Sequence, residues 1–304
     1  MQDFFGKELQ QMEFIEIRDK GTMALVIQDC PYIDLSKTFD CGQCFRFEPV
    51  SIFGNKVEFG GVVRDNYVVF AQNHENELII YNYGFAHIDI WKKFFNLDSD
   101  YGKRHEEILR AVPDEHMKKA IEFGKGIRLL TQGLWETLIS FIISQNNNIP
   151  RIKKIIESLC QNYGMTTTFK SKSYYRFPTA STLLRVGDAD IASKTKMGFR
   201  ARYVIEACKW YEGLNAFEVK HMANNESKDI EGELLKITGI GPKVASCIML
   251  FGLGKGDTFP VDVHMKRTLE KYFPNGIDIK ALGENAGLAQ QYLFYYEKYN
   301  KALE

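Results

Sequence analysis

The stretch Leu234-Leu235-Lys236-Ile237-Thr238-Gly239-Ile240-Gly241-Pro242-Lys243-Val244-Ala245 decides how the chain is read. Two glycines flank one apolar residue between two helical patterns. Glycine permits a tight turn at positive φ, and Pro242 suits the first position of the following helix. Such a turn leaves the backbone N–H groups of a helix start free to bind phosphate. That contact grips a nucleic-acid backbone without reading its sequence. An ordinary αα-hairpin is the plain alternative. The basic helix start directly after Gly239-Ile240-Gly241 favours phosphate.

Lys243 stands at the beginning of the second helix. The positive pole there disfavours an added ammonium charge, and an amine held neutral is a usable nucleophile. A surface lysine touching phosphate would occupy the same place. Downstream, in Phe259-Pro260-Val261-Asp262-Val263-His264, Asp262 precedes another helical pattern. It can serve as an N-cap, which would also fix its carboxylate in space. Two helix starts facing one cavity would offer an amine and a carboxylate together. That pair suits attack at a sugar C1′ as positive charge develops on the sugar.

Working outward, the pattern of the chain changes near residue 86. Before it, Met23–Ile27, Lys56–Val63, Tyr67–Phe70 and Leu78–Tyr83 are rich in Val, Ile, Phe and Tyr and are separated by turn formers. They predict an antiparallel meander. After it, helical spacing runs through Ile90–Phe95, Glu106–Val112, Trp135–Ile143, Arg151–Tyr163 and Ala201–Trp210. A polar break at Asn224–Asp229 is followed by helices at Gly232–Ile237, Pro242–Phe251, Val263–Tyr272 and Glu284–Asn300. The fold class is therefore α+β: an N-terminal antiparallel β domain over residues 1–118, then a larger all-helical region over 119–304 that holds the site between helical lobes.

Net charge is zero over 304 residues, yet it is unevenly spread. Residues 1–118 hold 13 basic and 20 acidic side chains, and residues 119–304 hold 26 and 19. That asymmetry suits a polyanionic partner for the second part. No apolar run approaches the roughly 18 residues of a membrane span. The start Met1-Gln2-Asp3-Phe4-Phe5 lacks the layout of a signal peptide, so a cytoplasmic protein with reduced cysteines is expected. Cys41-Gly42-Gln43-Cys44 has no second pair to complete a zinc site. No cysteine follows Cys247, so no late iron–sulfur cluster is expected.

The hairpin, the lysine and Pro260-Val261-Asp262-Val263-His264 resemble the helix-hairpin-helix glycosylase superfamily with its Gly/Pro-rich loop and aspartate. Further segments resemble its 8-oxoguanine glycosylase branch of eukaryotic type. They are Cys41-Gly42-Gln43-Cys44-Phe45-Arg46, Gly126-Ile127-Arg128-Leu129-Leu130, Ser144-Gln145-Asn146-Asn147-Asn148-Ile149-Pro150-Arg151, Gly198-Phe199-Arg200-Ala201-Arg202-Tyr203 and Ala289-Gln290-Gln291-Tyr292-Leu293-Phe294, in the same order along the chain.

The resemblance implies roles residue by residue. Lys243 would form a Schiff base at C1′, and Asp262 would stabilise the transition state. Gly42 would accept from the N7–H that marks the oxidised base. Phe294 and Cys247 would sandwich the extruded base, and Gln290 would read its Watson–Crick edge. Asn146, Arg151 and Arg200 would recognise the orphaned cytosine, while Phe199 would wedge into the vacated stack. Gly239 and Gly241 would contact DNA in the hairpin, and His264 would touch a phosphate. Backbone carbonyls of Leu235, Ile237 and Ile240 would hold a monovalent or Ca ion, with no cofactor required for catalysis. The partner would be double-stranded DNA carrying a damaged base, bound by a monomer, with nucleoid association if the source is prokaryotic. Phe199 stands where the branch usually has tyrosine, Gln145 and Pro150 where it has small residues, and Glu297 where it has aspartate. Glu297 is expected to pair with His264. Base excision followed by β-elimination is the implied activity.

Two other readings compete. Monofunctional alkylbase glycosylases keep the aspartate but lack the lysine, and endonuclease III types carry a cluster after it. A passive DNA-binding module would need the hairpin alone, without Asp262, Gly42, Gln290 and Phe294.

Overall fold

The computed structural model describes residues 12–84 and 88–300, so the start Met1–Phe5 lies outside the described residues. Six antiparallel strands form one sheet: β1 (Glu13–Asp19), β2 (Thr22–Gln28), β3 (Glu48–Pro49), β4 (Val57–Val63), β5 (Asn66–Gln72) and β6 (Leu78–Tyr81). Their order is β1-β2-β6-β5-β4-β3, which corrects the expected meander. β2 pairs with β6, placing Ala24 opposite Tyr81 and Ile27 opposite Leu78. The reason lies between β2 and β3, where the chain leaves the sheet for the helix Leu35–Asp40 and the Cys41–Cys44 loop.

Both faces of this sheet are covered, so its central strands are apolar throughout. In β5, Val68 and Phe70 join a core with Phe39, Phe47, Trp91 and Phe94, beneath the helix Ile88–Phe95. Tyr67, Val69 and Ala71 alternate to the opposite core, as a period of two requires. That second face is covered by a hairpin the sequence reading missed, β7 (Thr166–Phe169) and β8 (Lys172–Tyr175). Tyr174 stacks on Tyr67 with ring centroids 3.7 Å apart, and Phe169 completes the layer. The hairpin therefore bolts the helical part onto the sheet.

The helical core extends from the loop residues Cys41 and Phe45 to Tyr295. Residue 118 falls within the helix Glu115–Gly124, which packs on the last helix, Ala286–Asn300. The polar break is shorter than expected, because the helix before the hairpin already begins at Ser227 and runs to Leu235. After Pro242–Ile248 the helix widens into a π turn over Met249–Leu253. Arg128 is fully buried and joins the two parts. It donates to the Asn96 and Pro31 carbonyls at 3.0 and 2.7 Å and lies over the Tyr101 ring.

One consequence of this packing is acid sensitivity. His105 Nε2 lies 2.7 Å from the Tyr292 hydroxyl, and its ring meets Tyr32 edge-on at 5.1 Å. Burial, reinforced by Lys125 and Arg104, lowers its pKa from 6.5 to about 4. Across that window the unfolded chain binds a proton that the folded chain refuses, so this contribution is complete above about pH 6.5 and shrinks towards pH 4. A series of thermal melts is expected to show Tm falling from pH 7 to 4, with a shallower fall in His105→Gln.

Candidate active site

The hairpin is built by one strained position. Gly239 has φ +92°, and a Cβ there would lie 2.3 Å from Cγ of Tyr203. Gly241 N-caps the next helix at φ −105° with open space around it. Ile237 and Ile240 are buried, while Leu235 is half exposed. Gly239→Ala combines positive φ with a backbone-proximal clash, and positive φ alone costs a non-glycine residue about 1–2 kcal/mol. The variant is expected to lose at least that much stability in chemical denaturation and to bind duplex DNA more weakly.

Lys243 and Asp262, 19 residues apart in sequence, line one cavity of about 160 Å³. Lys243 comes from the first turn of Pro242–Ile248 and holds its Nζ 5.5 Å from the centre of the Phe141 ring. Asp262 N-caps the helix Val263–Tyr272, its Oδ1 accepting from the Met265 N–H at 2.7 Å. Capping and facing the cavity are thus the same placement. Cys247 lies one turn after Lys243 on that cavity wall. Burial raises its thiol pKa, opposed by the charge of Lys243 and a hydrogen bond to it, while Asp262 adds to the rise. Lys243 and Asp262 are thus both electrostatic neighbours of Cys247.

The rest of the wall comes from distant parts of the chain. Gly42 (φ +79°) contributes from the loop after Leu35–Asp40, and its missing Cβ leaves 3.3 Å to Cε1 of Phe294. Gln290 and Phe294 lie one turn apart on Ala286–Asn300. Phe45, Phe141, Asn147, Ile149 and Gln291 also line the cavity. Sequence reasoning assigned none of these five a role, although Phe45, Asn147, Ile149 and Gln291 stand inside the segments that carry the resemblance, because a segment's pattern does not say which of its side chains turn to the cavity. The result is an apolar slot, closed by polar groups, with an amine and a carboxylate at its edge.

The residues expected outside the slot form a second group. Phe199 is 59% exposed and lies just before the helix Arg200–Glu212, beside Tyr203. Through Tyr203 it touches the hairpin glycine. Arg200 is buried, and its guanidinium donates to the carbonyls of Gln145, Asn146 and Met197. It holds the Asn146 turn, whose φ is +45°, while Arg151 stays exposed nearby and lowers the Arg200 pKa after burial does so first. His264 is exposed on the first turn of its helix.

Glu297 requires a correction. It pairs with His116 at 3.0 Å rather than with His264, and His116 stacks on Tyr272 at 3.6 Å. One turn beyond Phe294 the last helix faces the helix Glu115–Gly124 and the far end of Val263–Tyr272, not its start.

All six cysteines are free and buried, so Cys41 and Cys44 form no bridge; burial pushes Cys41 up to about 12. Among the described residues no group of three or more His, Cys, Asp or Glu side chains is placed to hold a metal. No helix among them is long and apolar enough to cross a membrane.

Residues 26–138 match the 8-oxoguanine DNA glycosylase N-terminal domain, and residues 139–281 match the HhH-GPD superfamily of base excision DNA repair proteins. The N-glycosylase/DNA lyase of Saccharomyces cerevisiae is 30% identical over 256 residues, spanning 78% of this chain and 67% of the yeast protein. The chain belongs to the 8-oxoguanine DNA glycosylase family. Solved structures agree across nearly the whole glycosylase. MBOgg1 in complex with a low-affinity DNA ligand superposes with a TM-score of 0.84 at 36% identity, covering 95% of this chain and 100% of that one. The Clostridium acetobutylicum 8-oxoguanine glycosylase/lyase, bound to duplex DNA with cytosine opposite 8-oxoguanine, gives 0.82 at 34% identity, covering 95% and 98%. The glycosylase is accordingly an enzyme of base excision repair.

Proposed function

We propose that this glycosylase excises 8-oxoguanine, preferentially opposite cytosine, through a covalent intermediate on Lys243 and then cleaves the strand by β-elimination. The observation that carries the reading is the single cavity shared by Lys243, Asp262, Gly42, Gln290 and Phe294. Extrusion of the base costs a few kcal/mol. Phe199, exposed at a helix start, is suited to fill the gap as apolar wedges do. Phe294 and Cys247 would hold the base from its two faces, and Gln290 would read its Watson–Crick edge. Gly42 would accept the N7–H.

In the chemical step the side-chain nitrogen of Lys243 forms a bond to C1′ as the C1′–N9 bond breaks. The departing base takes up the proton that the attacking nitrogen gives up, and the Asp262 carboxylate stabilises the positive charge gathering on the sugar. Opening of the sugar ring then gives an imine between Lys243 and C1′. Loss of a C2′ proton and departure of the 3′ phosphate complete β-elimination, and water releases the lysine.

Asn146, Arg151 and Arg200 would meet the orphaned cytosine. Arg200 does so in this reading by exchanging one of its carbonyl bonds or by holding Asn146 in place. His264, exposed beside Asp262, would contact a neighbouring phosphate, as would the backbone at Gly239 and Gly241. The hairpin fits a cation: the carbonyls of Leu235 and Ile240 carry no hydrogen bond among the described residues, and that of Ile237 accepts only from Ile240 at 3.0 Å. A monovalent or Ca ion held there would stiffen the turn.

Single-turnover assays on duplexes with 8-oxoguanine opposite each of the four bases test the reading. Fastest release opposite cytosine, followed by strand cleavage, is expected. Release of alkylated bases with none of 8-oxoguanine would overturn it.

A further inference from the structure

Three consecutive backbone carbonyls belong to the loop that brings Cys41 and Gly42 to the cavity, and the protein treats the middle one differently. The Cys41 carbonyl accepts from Nε2 of Gln291 at 2.5 Å. The Gln43 carbonyl accepts from Nε2 of Gln132 at 2.7 Å. The Gly42 carbonyl between them has no hydrogen-bond partner among the described residues. The side chain of Gln43, only 1% exposed, is saturated in its turn. Its Nε2 donates to the Thr38 and Arg128 carbonyls at 2.9 and 2.8 Å, and its Oε1 accepts from the Leu130 N–H at 2.9 Å.

We infer that Gln43, Gln132 and Gln291 are positioning residues that set lesion specificity by locking the Gly42 peptide. The two outer glutamines cap its neighbours, and Gln43 bolts the loop to the Ile127–Leu130 segment. This leaves one unsatisfied acceptor at the cavity, held where only a base with an N–H at that edge satisfies it. Once a base fills the slot this carbonyl is cut off from water, and an acceptor left unpaired there is costly, so unmodified guanine, whose N7 carries a lone pair, is penalised. A loop free to rotate would turn its carbonyls towards water or towards another donor, and the penalty would vanish. Gln132 does not line the catalytic cavity, and its side-chain hydrogen bond to the loop is to the Gln43 carbonyl, so its effect on the base passes through the peptide. The inference rests on the proposed 8-oxoguanine activity and adds to it the device that enforces it.

The test compares Gln132→Leu with the unsubstituted enzyme on three duplexes. In a Lys243→Gln background, binding to 8-oxoguanine:cytosine and guanine:cytosine duplexes is measured. In the active enzyme, lyase cleavage of an abasic duplex, which contains no base to recognise, is followed. The ratio of the two binding constants is expected to fall by about 10-fold, the scale of one hydrogen bond to a buried acceptor, with abasic cleavage unchanged. Gln291→Met, which removes the other donor at similar volume, is expected to lower the same ratio. An unchanged ratio in both variants, or equal losses on all three duplexes, would overturn the inference. If the unsubstituted enzyme itself fails to release 8-oxoguanine, the functional reading fails instead.

Discussion

Lys243→Gln is expected to bind lesion DNA nearly as well as the unsubstituted enzyme while losing base release and borohydride trapping together, by about 10³-fold or more, the scale seen when a covalent nucleophile is removed. The side chain is half-buried at a helix start and hydrogen-bonds the Cys247 thiol on the cavity wall. Glutamine fits that space and keeps a hydrogen-bonding group beside the thiol, but it has no free amine to form an imine. The helix begins with Pro242 and is held by Val244 and Ala245, both buried, so its fold does not depend on the lysine. In the proposed reading affinity comes from the hairpin and from base contacts, which the substitution leaves intact. A variant that still turned over normally would remove Lys243 from the chemistry.

Asp262→Asn separates the observed cap from the proposed electrostatic role of one carboxylate. Asn is as good an N-cap as Asp, so the bond from the Met265 N–H at 2.7 Å has an acceptor in either case. Stability is expected to stay within about 0.5 kcal/mol. The negative charge at the cavity edge is lost, and base release should slow by roughly 10²–10³-fold, the usual cost of removing one electrostatic stabiliser. Asp262→Ala should show the same slowing and, in addition, lose about 1 kcal/mol of stability with the cap. Circular dichroism melts run beside single-turnover kinetics check both. Slowing that merely tracked the loss of stability across the two variants would reduce Asp262 to a cap.

What the chain reveals before folding depends on how locally each feature is encoded. Gly239, Gly241 and Pro242 constrain the backbone where they stand, so the hairpin and the helix carrying Lys243 are legible at once. Asp262 is legible for the same reason, being the cap of the helix it precedes. The order of the sheet is not, because β2 pairs with β6 across about fifty residues and no local pattern reports that choice. The β7–β8 hairpin hid behind its turn. Lys170 and Ser171 adopt φ of +46° and +63° without the glycine or asparagine that usually announces such a turn. Glu297 shows the limit of helical spacing. One turn from Phe294 fixes the face of a helix, but the partner on that face is set by packing, and it is His116. Gln132 stands in no motif and Gln291 stands in the Ala289–Phe294 segment without a role of its own, and the meaning of both appears only once the Cys41 and Gln43 carbonyls are seen beside them.

The account stands on an amine and a carboxylate at one cavity wall, and the most direct measurement is the site of covalent attachment. Borohydride reduction of the enzyme on an 8-oxoguanine:cytosine duplex, followed by proteolysis and mass spectrometry, should place the sugar remnant on the peptide containing Lys243 and on that lysine alone. Attachment at another lysine or at the chain's amino terminus, or release of the base with no adduct formed, would contradict it.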